Sequence, residues 1–215
     1  MKHIYLMPGM AASSLIFENL KLPKKDFTVH NLEWIIPEVK EPLRDYVTRL
    51  LAHVRHKSPV LVGVSFGGVI VQEMAKQIDV EKLILISTVK SKKEFPRRMR
   101  FSKVTGLHKI LPTRLVENFD LLVKYNPGFA LKKIELYKKY LSVNNRIYLN
   151  WALDTILNWD QEEPLLNTIH IHGDEDPIFP IKYINDCIIV PGGTHVMIVN
   201  RFRWFNDHLP DIILS

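Results

Sequence analysis

Apolar positions follow two rhythms along this 215-residue chain. Near-unbroken apolar runs occur in HIYLMPG (3–9), PVLVGV (59–64), KLILIS (82–87), TIHIHG (168–173) and DCIIVPG (186–192). Such runs mark strands covered on both faces of a parallel sheet; DFTVHNLEW (26–34) reads as a further strand. The other rhythm is helical. From Pro42, placed at a first helical position, Leu43, Tyr46, Val47, Leu50, Leu51 and Val54 recur at steps of three and four. Residues 66–77 read as a second helix, Ser13 or Ser14 as the cap of one after the first strand, and the stretch behind residue 195 as the start of a last one. Strand and helix alternate. The expected class is therefore α/β, a mostly parallel sheet of about six strands with helices on both faces.

The alternation breaks after Thr88, where about sixty residues of helix-prone sequence, punctuated by Pro112, Pro127 and Gly128, run into a last amphipathic segment at 144–159. An insertion between two strands of a parallel sheet emerges at the carboxyl edge of the strands, where ligands bind in such sheets. Residues 89–145 are expected to form a helical lid inside a single domain spanning 1–215. No internal repeat or low-complexity tract interrupts this plan.

Charge sharpens the division. The net charge of +6 is unevenly spread: residues 90–148 carry fifteen Lys and Arg against four acids, which is +11 and leaves −5 for the rest. The KSKKEFPRRMRFSK run has no interleaved aromatic pattern for stacking bases, and no nucleic-acid motif is present, so no nucleic-acid partner is expected. One cysteine, Cys187, rules out an internal disulfide framework, and the N-terminal residues lack a charged and then apolar leader. A cytoplasmic location is the expectation. No apolar run reaches the ~18–20 residues of a membrane span. His170 and His172 share one strand face without a further ligand set at the usual spacing, so neither metal nor cofactor is expected.

The chemistry centres on VLVGVSFGGVIVQ (60–72), where a lone hydroxyl, Ser65, stands at the junction of strand and helix. Gly63 and Gly67 remove side chains where the two elements come close, so Ser65 can take a strained conformation with its hydroxyl exposed. The Phe66 N–H then sits at a helix N-terminus, facing any negative charge that develops nearby.

A serine needs a base, and the base needs an orienting group. Among nine histidines, His3 and His170 alternate along strands, His53 and His56 sit near a helix C-terminus, and His108 lies in the basic insert. His195 differs: PGGTHVMIV places it in a glycine-rich loop directly after the last strand, at the same sheet edge as Ser65. An orienting acid is offered by Asp174, Glu175 or Asp176 after the penultimate strand, whereas the preceding strand ends in Ser87 and Thr88.

With these residues in view, the chain resembles the α/β-hydrolase family. PGM (8–10) is similar to its oxyanion loop, GVSFG (63–67) to its nucleophile elbow, HGDEDPIFP (172–180) to its acid turn and GGTH (192–195) to its histidine loop. The resemblance implies Ser65 as nucleophile, His195 as general base and then acid, and Asp176, three residues after the glycine, as the group fixing the imidazole. It also implies an oxyanion hole from the backbone N–H groups of Met10 and Phe66. The insert matches the family's cap. Pro8-Gly9 replaces the family's usual His-Gly, and the family's two leading strands are missing, which exposes a sheet edge that a homodimer would cover; otherwise the chain is a monomer.

A serine nucleophile points to a carboxylic ester, with an acyl-thioesterase on an anionic carrier as the alternative and a non-hydrolytic lyase or ligand receptor as a different class on the same fold. The expected partner is a small-molecule acyl ester or thioester. Phe95, Met99 and Phe101 are candidates to line an acyl pocket, although their spacing also suits plain core. Lys90, Lys92, Lys93, Arg97, Arg98, Arg100 and Lys103 form either a solvated cationic face or a receptor for an anionic group.

Overall fold

A computed structural model describes residues 1–99 and 139–215. Its six strands are β1 (Lys2–Met7), β2 (Phe27–Asn31), β3 (Val60–Val64), β4 (Lys82–Ile86), β5 (Thr168–Gly173) and β6 (Ile188–Val190). All pair in parallel in the order β2-β1-β3-β4-β5-β6. Among the described residues the helices are α1 (Leu43–Leu51), α2 (Phe66–Ala75), α3 (Arg146–Asn158), α4 (Met197–Asn200) and α5 (Phe202–Leu214).

Alternate strand residues feed two cores, because successive side chains point to opposite faces. Tyr5, Met7, Leu61, Leu83 and Leu85 pack under α1, α2 and α3. Ile4, Leu6, Val62, Ile84 and Ile86 pack under α4 and α5. Every residue of β3 is buried, as its unbroken apolar run requires. Each fully buried aliphatic side chain contributes roughly 1.5–3 kcal/mol of transfer free energy, so the central strands anchor whatever is mounted on their carboxyl ends.

Some boundaries differ from the pattern. The helix expected after β1 is a single 3-10 turn, Ser14–Phe17. Its apolar residues Ile16 and Phe17 are adjacent instead of spaced along a stripe, so one turn buries both against the α5 side. Pro42 is the N-cap of α1, one position before the helix proper. β2 stops at Asn31, after which Trp34 turns away to stack on Phe66. The lid expected over 89–145 lies mostly outside the described residues, as do Phe101, Arg100 and Lys103. None of the described helices is long and apolar enough to cross a membrane.

Candidate active site

Ser65 joins β3 to α2 with φ 53° and ψ −123°, a conformation that side-chain-bearing residues adopt only when their surroundings impose it. The surroundings are visible. A Cβ on Gly63 would come within 2.5 Å of Val71 Cγ2, and one on Gly67 within 2.5 Å of the Met7 carbonyl, so β1, β3 and α2 close to this distance only because both positions lack side chains. The Ser65 N–H donates to Ile86 O at 2.9 Å and its carbonyl accepts from Gly68 N at 2.8 Å, which fixes the turn from both sides.

Three strand ends converge on the Ser65 hydroxyl. His195, in the loop after β6, places Nε2 2.9 Å from Ser65 Oγ. Its Nδ1–H donates to Asp176 Oδ2 at 2.9 Å. Asp176 follows β5 and is buried, and its other oxygen accepts the N–H groups of Ile178 (2.7 Å) and Phe179 (3.0 Å). Burial would push this carboxyl up, but the hydrogen bond and charge of His195 and the two backbone donors together hold it below the ordinary carboxylate range. Of the three acids in the turn, Asp174 and Glu175 are exposed and only Asp176 is buried against the imidazole. Glu175 contributes through its backbone, whose N–H donates to Gly193 O at 3.0 Å and ties the acid turn to the histidine loop.

Phe66, which follows Ser65, and Gly9 of the loop after β1 adjoin the serine. The Phe66 N–H opens α2 and has no intrahelical acceptor. The Gly9–Met10 segment presses on the serine: a Cβ on Gly9 would stand 3.3 Å from Ser65 Cβ. This loop is held by bonds that sequence reading did not anticipate. Gly9 O accepts from Trp34 Nε1 at 3.0 Å and from Ala12 N at 3.1 Å, while Ala11, at φ 63°, accepts from Val143 N at 3.0 Å. Trp34 carried no signal because a lone tryptophan past a strand end is ordinary; only its stacking on Phe66, centroids 5.3 Å apart, reveals its place. His172 was another silent neighbour. It is buried beside Asp176, with its Nε2–H donating to Phe179 O at 2.8 Å, and burial lowers its pKa, which favours the neutral ring.

Two of the expected pocket residues, Phe95 and Met99, lie within the described residues. Phe95 is 5% exposed and packs against Trp159 and Phe179, whose own ring lies 5.6 Å from that of His195. Met99 packs partly buried against the same core. Several basic residues that might have received an anion are engaged within the protein. Lys90 is buried and donates to the carbonyls of Asn185 (2.7 Å) and Asp186 (3.1 Å). Lys92 and Lys93 pair with Glu162 and Glu163, and Arg98 donates to the carbonyls of Pro177 and Ile178 beside Asp176.

The arrangement can deprotonate a hydroxyl, hold the resulting imidazolium and offer N–H donors to an oxyanion. Comparison with known proteins agrees in fold. A family model described as "Alpha/beta hydrolase family" matches residues 6–208. Among solved structures, a thermophilic esterase from Thermogutta terrifontis is similar over 100% of this chain and 90% of its own, with 13% identity and a TM-score of 0.68. A bromoperoxidase from Bacillus anthracis is similar over 99% and 91%, with 17% identity and a TM-score of 0.67. A 2-hydroxy-6-oxo-6-phenylhexa-2,4-dienoate hydrolase from Rhodococcus sp. strain RHA1 is similar over 100% and 91%, with 17% identity and a TM-score of 0.64. No curated protein matches this chain in sequence.

Proposed function

Because the chain belongs to the alpha/beta hydrolase family, we propose that it is a serine hydrolase that cleaves a carboxylic ester through an acyl-enzyme. The observation that carries this reading is the 2.9 Å contact between His195 Nε2 and Ser65 Oγ at a serine held at φ 53°. With its Nδ1–H committed to Asp176, neutral His195 has its Nε2 lone pair facing the hydroxyl proton. Ser65 Oγ attacks the ester carbonyl as that proton passes to Nε2, and the Met10 and Phe66 N–H groups receive the oxyanion. The imidazolium returns the proton to the departing alcohol. Water then enters and its oxygen attacks the acyl carbon as it loses a proton to Nε2; the bond from the acyl carbon to Oγ breaks, Nε2 gives that proton to Oγ, and the acid leaves. Asp176 keeps its negative charge throughout and stabilises the imidazolium.

The ester is favoured over a thioester on an anionic carrier by the engagement of Lys90, Lys92, Lys93 and Arg98 within the protein. Phe95 packs on Phe179, whose ring in turn lies beside that of His195. Intact-mass analysis after a fluorophosphonate probe tests the reading: one adduct on the native chain, absent from Ser65→Ala and His195→Ala, supports it. A folded native chain that takes up no probe refutes it and brings forward a non-hydrolytic ligand receptor.

A further inference from the structure

Far from Ser65, three histidines from distant parts of the sequence meet. His3 on β1, His30 on β2 and His56 after α1 bring one ring nitrogen each within 4.8 Å of one another. The register pairs Tyr5 with His30 and His3 with Thr28, so His3, Tyr5 and His30 share the sheet face that α1 and α2 cover. His3 lies four residues before the end of β1, which at ~3.3 Å per residue places the cluster about 13 Å back from the carboxyl edge. The proposed hydrolysis makes no use of it.

We propose that His3, His30 and His56 form a binding site for a divalent transition ion of the zinc type. His3 Nδ1 and His30 Nε2 stand 3.1 Å apart. Two nitrogens each about 2.0–2.1 Å from one ion at that separation subtend roughly 100°, between octahedral and tetrahedral values. Neutral imidazole is the ligating form. The ring that carries the hydrogen shared between His3 and His30 shifts it through solvent to its other nitrogen, so both stay neutral when the ion enters.

His56 has the outer support that metal-bound imidazoles carry. Tyr5 Oη accepts the Arg55 N–H at 3.0 Å and lies 2.7 Å from His56 Nδ1. Ligation through Nε2 takes the tautomer in which His56 Nδ1–H donates to that hydroxyl oxygen, and the Tyr5 O–H then turns toward solvent. The His3 and His56 rings now stack 3.5 Å apart and 8° from parallel, so binding requires His56 to tilt out of the stack. It has room on one side, where it lines an open groove of about 790 Å³ together with Lys57 and Asp79. All three ligands are imidazoles, which selects Zn²⁺, Co²⁺, Ni²⁺ or Cu²⁺ over Mg²⁺ and Ca²⁺. The ion would clamp β2, paired on one side only among the described residues, to β1 and to the segment leaving α1.

Co²⁺ titration of the full chain, read by visible absorption and calorimetry, tests the site. One equivalent should bind with d–d bands. Binding should be lost in His30→Gln and His56→Gln, kept in His195→Ala, and weakened about 10–100-fold in Tyr5→Phe, which touches only the outer support. Circular dichroism establishes that each variant is folded. Absence of binding to the native chain, binding that survives both histidine variants, or binding lost in His195→Ala would each overturn the proposal.

Discussion

Trp34 donates its indole N–H to the Gly9 carbonyl at 3.0 Å and so fastens the loop that leans on Ser65. In the proposed mechanism it is a positioning residue, because the Gly9 carbonyl it holds and the Met10 N–H belong to one peptide. Trp34→Phe keeps an aromatic ring over Phe66 and removes one hydrogen bond, worth about 0.5–1.5 kcal/mol. If the loop serves the oxyanion, kcat on a short-chain nitrophenyl ester should fall about three- to tenfold with KM nearly unchanged. A rise in KM alone would assign Trp34 to substrate binding instead.

Ser65→Ala and His195→Ala should each lower kcat by about 10⁴-fold or more and should not compound in the double variant, because the two groups act in one proton transfer. Steady-state kinetics on all three variants measures this. Additive losses would show that the residues act separately.

Asp176→Asn should reduce kcat by about 10⁴-fold while leaving the fold intact, because the amide favours the wrong imidazole tautomer. It should also alter the acid limb of stability. The folded pKa of Asp176 is depressed, so its stabilising contribution is present above the unfolded value of about 4 and is lost as pH falls through the folded value. The Tm difference between native chain and variant should therefore shift against the native chain as pH drops below about 4. A constant difference would mean that the carboxylate contributes no pH-dependent stability.

Gly67→Ala places a methyl group against the Met7 and Pro8 carbonyls, which are backbone and cannot rotate away. A loss of about 1–3 kcal/mol is expected, together with reduced probe labelling of Ser65, since relief of the clash displaces either the elbow or the Pro8-Gly9 loop. Urea denaturation and labelling rates give the two readouts.

Phe95→Ala should cost about 3–5 kcal/mol without changing the preference for acyl-chain length, because its ring faces Trp159 and Phe179 within the core. A shifted chain-length optimum would make Phe95 part of the pocket wall.

The chain's own pattern determined the strands, the position of Ser65 between a strand and a helix, and the placement of His195 in a loop at the same edge. These features are local: an apolar run, a glycine pair around a serine and a glycine-rich turn constrain backbone conformation within a few residues. Asp176 was singled out by the acid-turn spacing of the family resemblance, and not by the residues alone. Asp174, Glu175 and Asp176 are equivalent as neighbouring acids, and it is the closure of the turn by the Ile178 and Phe179 N–H groups that buries one of them against the imidazole. The role of Trp34 and the meeting of His3, His30 and His56 were not legible at all. They depend on β2 pairing with β1 in one register and on α1 returning across that face, and long-range packing of this kind leaves no fixed spacing in the sequence. Local motifs set which groups reach the strand ends; only the tertiary structure decided which of them touch, because contact depends on sheet register and side-chain burial summed over the whole core.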